Sequence, residues 1–200
     1  MRHVMRHREV RMPDTSIGDL WQRIERALER HAPEAAATLA PPATEEQVAA
    51  LEAAIRQALP ADLRASLRVH DGQSDPTGCH SFCDGGMLLN TVEIADRWRM
   101  VTEMDEENRA SAAPGQGPWW KTSCIPFTDA EGDMLCVDMD PSLGSRTGEV
   151  VCHIHDSEIE RGLGASYEAW LSSLAQRLEA GRFRIDAYGY LRVDPEVQQA

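Results

Sequence analysis
The chain has 200 residues, a formal net charge of −13 and a hydrophobic fraction of 42%. A chain of this length buries a full core as one domain, and its apolar content is globular rather than disordered. No apolar run approaches the roughly 20 residues of a membrane span, and an acidic body disfavours direct contact with nucleic-acid phosphates. The start, MRHVMRHREVRM, is charged but lacks the apolar segment of a signal peptide. Residues 1–12 contribute +3 and the remainder −16; residues 1–13 therefore read as a basic, disordered leader, with Met12 an alternative start. Five cysteines, odd in number and irregularly spaced, suit a reducing compartment and a cytoplasmic location.

Ser16 caps a predicted helix whose stripe is Ile17, Leu20, Trp21, Ile24 and Leu28, ending near Pro33. An Ala/Pro-rich linker covers residues 32–42. Thr44 and Gln47 form a capping-box signal for a second helix striped by Val48, Leu51, Ile55 and Leu59 and stopped by Pro60. A short helix with Leu63 and Leu67 gives way at His70-Asp71-Gly72. Residues 73–86 read as a loop, and Met87 to Leu89 as a buried strand. The next helix places Ile94, Trp98, Val101 and Met104 on one face. Its acidic end, Glu103 and Asp105 to Glu107, opposes the helix dipole and predicts fraying.

A loop at residues 110–118 leads to strand candidates at 124–128, 134–138 and 149–154. A last helix starts at Ser166, buries Tyr167, Trp170, Leu171, Leu174 and Leu178, and is closed by Gly181. Residues 183–200 complete the chain as a short strand or packed tail. The order of elements is α+β. It predicts one domain over residues 14–182, with a central, largely antiparallel sheet of four to six strands wrapped by helices at both ends.

The stretch IPFTDAEGDMLCVDMDP concentrates the candidate chemistry. Asp129, Glu131 and Asp133 fit the first ligand positions of a calcium loop and Asp140 the twelfth. Met134 stands where that loop requires glycine, and Leu135 to Val137 form a strand where ligands should converge. Asp138 and Asp140 share a strand parity and could act as an acid/base pair, although Asp-Pro after a strand is ordinary turn chemistry. Cys79, His80 and Cys83, with Cys152, His153 and His155, could meet around zinc if the loop at 73–86 folds over strand 149–154; their spacing departs from that of zinc ribbons and fingers. His70 and Asp71 could form a dyad or simply end a helix. Trp119-Trp120 reads as an interface anchor or as core. No nucleotide-binding glycine motif or nucleophile elbow occurs.

Taken in order, Leu59-Pro60, His70-Asp71-Gly72, Leu88-Leu89, Trp98, Ile125-Pro126-Phe127, Gly132-Asp133, Cys136-Val137-Asp138 with Pro141, Gly148 to Val151, and Ser166-Tyr167 with Trp170-Leu171 resemble the SUKH superfamily. Within it, they resemble the branch of fungal cell-wall assembly regulators and many bacterial proteins, over about residues 16–180. The resemblance implies an α+β fold, a non-enzymatic role and no cofactor. Its bacterial members are typically immunity proteins against toxins, often nucleases, and its fungal members are interaction scaffolds. Cys124 stands where the family often has an aromatic residue, and the loops at 73–86 and 110–118 have no family counterpart.

Abundant Ala, Arg, Gly and Pro with a single Lys look bacterial. The expected function is therefore a protein-binding module, monomeric or weakly dimeric, neutralising a basic toxin through an acidic face that includes Asp129, Glu131, Asp133, Asp138 and Asp140. The alternatives are a regulatory scaffold and, last, a small metal-dependent hydrolase. Charge complementarity to a basic nuclease cleft is the physical argument for the first.

Overall fold
The computed structural model describes residues 16–74, 81–83, 86–111, 119–140, 146–155, 159–186 and 191–193. In chain order the elements are α1 (Ile17–His31), α2 (Pro33–Ala36), α3 (Glu45–Ile55), α4 (Ala61–Leu67), β1 (Met87–Leu88), α5 (Thr91–Ser111), β2 (Cys124–Pro126), β3 (Thr128–Asp129), β4 (Met134–Asp138), β5 (Glu149–His153), β6 (Glu160–Gly164), α6 (Tyr167–Glu179), β7 (Phe183–Ile185) and β8 (Leu191–Val193). The expected α+β class holds. The main sheet is antiparallel in the order β2-β4-β5-β6, and β1-β3 and β7-β8 form two-stranded ladders.

Strand alternation divides the core. Ile125, Val137 and Val150 are cross-strand neighbours and face a large cluster built from α1, α3, α4 and α6. Cys136 lies opposite Val151; with Cys124 and Met134 they face a smaller cluster completed by Val101 and Trp120. Both faces of the sheet are therefore buried, which explains why its strands read as apolar runs rather than as alternating ones. Each large side chain buried in this way contributes about 1.5–3 kcal/mol.

Helix α5 covers the β2 edge. It packs against both α3 and β2, and half-buried Trp98 touches both clusters while its Nε1 donates to the Thr122 carbonyl at 3.0 Å. Covering an edge in this way removes a row of unpaired backbone groups from solvent.

Several boundaries differ from the expectation. Helix α3 ends at Ile55, because Arg56 adopts a left-handed conformation at φ 56°. Pro33 begins the one-turn helix α2 inside the expected linker. Helix α5 continues to Ser111 through its acidic run. Met104, expected inside, is 45% exposed; the inner position one residue later belongs to Asp105, which is 3% exposed. Asp105 Oδ1 accepts from the backbone N–H groups of Trp119 and Trp120 at 2.7 and 3.1 Å, and its other oxygen pairs with Arg109 at 2.9 Å. Strand β6 was not expected from the sequence.

Candidate functional site
The turn His70-Asp71-Gly72-Gln73 ties five segments together. His70 ends the turn after α4; its Nδ1 lies 2.8 Å from the Ala40 carbonyl and its Nε2 2.7 Å from Glu25 Oε1 of α1. Asp71 is buried. Asn90 caps α5, its Oδ1 accepting from the Val92 and Glu93 N–H groups at 3.0 and 2.9 Å. Asp71 anchors the same end, accepting from the Thr91 N–H at 2.7 Å and the Thr91 hydroxyl at 3.1 Å and from the Gln47 amide at 3.2 Å. Gln73 binds β1 twice: its backbone N–H donates to the Leu88 carbonyl, and its Oε1 accepts from the Leu88 N–H, both at 2.8 Å. Its Nε2 reaches the Thr38 hydroxyl at 2.7 Å.

Gly72 is required here. Its φ is +71°, and a Cβ would fall 2.4 Å from the Asn90 nitrogen. The 38–42 segment is drawn onto the same turn, with Asp71 N–H donating to Pro41 O and Ala40 N–H donating to Gly72 O, both at 3.0 Å.

These bonds hold open a cleft of about 730 Å³ lined by Pro41, Pro42, Gln47, Ser74, Asn90 and Val92 among others. The geometry does not make His70 and Asp71 a dyad, because each is engaged by other groups. With the carboxylate of Asp71 consumed by three donors, the cleft offers a shaped, polar and acidic wall (Glu93 lines it too) suited to holding a ligand.

The acidic hairpin is dispersed by its own hydrogen bonds. Glu131 and Gly132 both have positive φ, 54° and 106°, the pattern of a type I′ hairpin turn. Asp129 Oδ1 accepts from the Gly132 N–H at 2.9 Å, and its other oxygen pairs with Arg97 of α5. Asp133 pairs with His155 at 2.9 Å, and the His155 bonds hold its carboxyl below the usual range. Asp138 is fully buried. It lies 3.3 Å from Arg161 and 3.8 Å from Lys121, and it accepts from the Ser123 hydroxyl at 3.3 Å and the Asp140 N–H at 3.0 Å. An interior carboxylate cannot meet a partner directly, so Asp138 leaves the expected docking face. Asp140, half-buried, borders a different, smaller cavity with Lys121 and Arg109.

Residues 42–173, more than half of the chain, match the model of the SMI1 / KNR4 family (SUKH-1). The chain belongs to this family. The SMI1 / KNR4 match takes in the turn, most of the cleft lining, α5 and the main sheet. Among curated proteins, the chain is similar to the cell wall biosynthesis/cell cycle regulator smi1 of Schizosaccharomyces pombe, 28% identical over 85% of this chain and 38% of that protein. It is also similar to the glucan synthesis regulatory protein of Neurospora crassa, 22% identical over 85% of this chain and 40% of that protein. A KNR4/SMI1 homolog of Kluyveromyces lactis is 37% identical over 42% of this chain and 17% of that protein. The chain thus spans about two fifths of the length of the first two.

Among the described residues of this SUKH-1 chain, the remaining candidates are not brought together into one site. Cys79 and His80 lie outside the described residues. Cys83 is in the main core. Cys152 and His153 are consecutive on β5 and so point to opposite faces. His153 is buried edge-on against Trp119 and Trp120, with centroids at 4.7 and 5.0 Å, and burial lowers its pKa. Among the described residues, no three His, Cys, Asp or Glu side chains form a group that could hold a metal ion. Trp120 is buried in the small cluster, and only Trp119 is partly open.

Sequence reasoning missed Asp105, Arg161 and Lys121 as partners of buried charge. Each bond spans a loop or strand crossing that no local pattern marks. Asp71 was legible as a candidate but not as the acceptor for the first N–H of a helix 20 residues away.

Proposed function
We infer that the chain is a non-enzymatic protein-binding module of the regulatory-scaffold kind, with the cleft beside α5 as its docking surface. The observation that carries this reading is the state of the His70–Gln73 turn. Its polar side chains are committed to fixing the cleft walls, which yields a preorganised concave surface. Rigid surfaces of this sort lower the entropic cost of binding. The similar fungal proteins, named as a cell wall biosynthesis/cell cycle regulator and a glucan synthesis regulatory protein, favour the scaffold reading over toxin immunity. No helix among the described residues is long and apolar enough to cross a membrane.

The test is affinity capture from the native cell extract with four forms of the chain: wild type, Ser74→Arg and Pro42→Arg at the cleft, and Gln176→Arg on the exposed side of α6. A protein retained stoichiometrically by wild type and Gln176→Arg, and lost by both cleft variants, supports the reading. Equal retention by all forms removes the cleft from it, and turnover of a small substrate by the purified chain would contradict the non-enzymatic role.

A further inference from the structure
Helix α5 carries an unusual outward face. Among the described residues, four large hydrophobic side chains are exposed, and three of them belong to this helix: Val92 at 61%, Met100 at 41% and Met104 at 45%. Their spacing of eight and four residues puts them on one ridge. Asp96 completes that ridge, and exposed Glu93, Glu103 and Glu107 lie on either side of it. Cations are scarce there. Arg99 is bonded to Asp96 at 2.9 Å, and Arg97 is held by Asp129. Beside the ridge, Met87, Leu89, Arg97, Met100 and Asp129 line a groove of about 440 Å³.

Two features of this face oppose the stability of the isolated chain. Exposed methionines gain nothing from water, and Glu103, Glu106 and Glu107 near the helix C-terminus face the negative end of its dipole, an unfavourable placement. A cationic, apolar partner relieves both. Flexible methionine side chains adapt to a helical ligand, and the carboxylates between them select positive charge. A second copy of this face would bring acid against acid, and an anionic lipid surface would be repelled in the same way.

We propose that this face and its groove dock a basic amphipathic helix of a partner protein, in the manner of a helix laid on an apolar strip. The proposal rests on the protein-binding reading and extends its surface from the cleft along α5. The strip from Val92 to Glu107 is about 24 Å long at 1.5 Å per residue, so it accommodates a ligand helix of about 16 residues.

The test uses fluorescence anisotropy of a labelled peptide of about 16 residues, with leucines at i, i+3, i+4 and i+7 and lysines and arginines elsewhere. The expected result is saturable binding of the amphipathic peptide to the whole chain, weakened about tenfold or more by Met100→Gln with Met104→Gln. Asp96→Lys with Glu103→Lys should weaken it further, and that variant should gain affinity for a matching acidic peptide. A scrambled peptide of the same composition should bind far less.

Equal binding of the scrambled peptide, or indifference to the methionine changes, reduces the effect to charge alone and overturns the proposal. So does α5-dependent dimerisation in sedimentation, which assigns the face to a second copy. If a native partner is lost by the cleft variants but kept by both α5 variants, protein binding stands and this extension falls.

Discussion

Replacing Asp71 with alanine isolates what the His70–Gln73 turn does. The carboxylate, 9% exposed, receives the Thr91 N–H, the Thr91 hydroxyl and the Gln47 amide at 2.7, 3.1 and 3.2 Å. Asn90 remains as the N-cap of α5, so the loss is that of donors left unsatisfied in a buried site, about 1–3 kcal/mol. For a domain of this size that lowers the melting temperature by roughly 2–12 °C. Asp71→Asn keeps an acceptor for the Thr91 N–H and should lose less than half as much. Thermal melts followed by circular dichroism give the shifts, and hydrogen exchange should show the first turn of α5 opening before the rest of the molecule. A drop under 2 °C for Asp71→Ala would refute the structural role assigned to this turn.

Three further outcomes follow from the interior. Asp138→Ala strands Lys121 beside a buried site, while Arg161 keeps Glu149 at 3.5 Å, and should cost about 3–5 kcal/mol; in denaturant titrations the double variant Asp138→Leu with Lys121→Met should recover much of that loss. His153 is held neutral by burial, so its folded pKa lies below its unfolded value near 6.5. Its contribution is present above that pH and is lost as pH falls through it toward the folded pKa. His153→Gln should flatten the fall in melting temperature between about pH 7 and pH 5, and an unchanged slope would contradict the assignment. Burial raises the thiols of Cys124 and Cys152 to about 12 and about 11, and it also raises that of Cys136 well above the ordinary thiol value. In a Cys79→Ser background, a maleimide at neutral pH should therefore label the folded chain slowly and the unfolded chain at once; fast labelling when folded would count against the buried sheet.

The parts legible in the sequence are those set by neighbours in the chain. Ser16 bonds Asp19 and Thr44 bonds Gln47 as capping boxes. The Ala-Glu-Gly-Asp turn joins β3 to β4, and Gly181 takes φ +67° just past α6. Strand β6, ERGLG, is glycine-rich and lacks alternation, so its place beside β5 had no local signal. The apolar ridge of α5 was misread by one position, because a buried acid at 105 is explained only by the backbone of Trp119 and Trp120, across a loop. The acidic hairpin read as one face for the same reason. Arg97, Arg161 and Lys121 come from three other places in the chain and take Asp129 and Asp138 out of it.

The central claim is that one face, the cleft of residues 40–42 and 71–74 continued along α5, receives a protein. Hydrogen–deuterium exchange of the chain, alone and saturated with the partner retained by wild type, tests it directly. Slowed exchange confined to Ala40, residues 71–74 and residues 89–107 is the expected result, Pro41 and Pro42 having no N–H to exchange; protection over α1 and α6 with that face unchanged would contradict it.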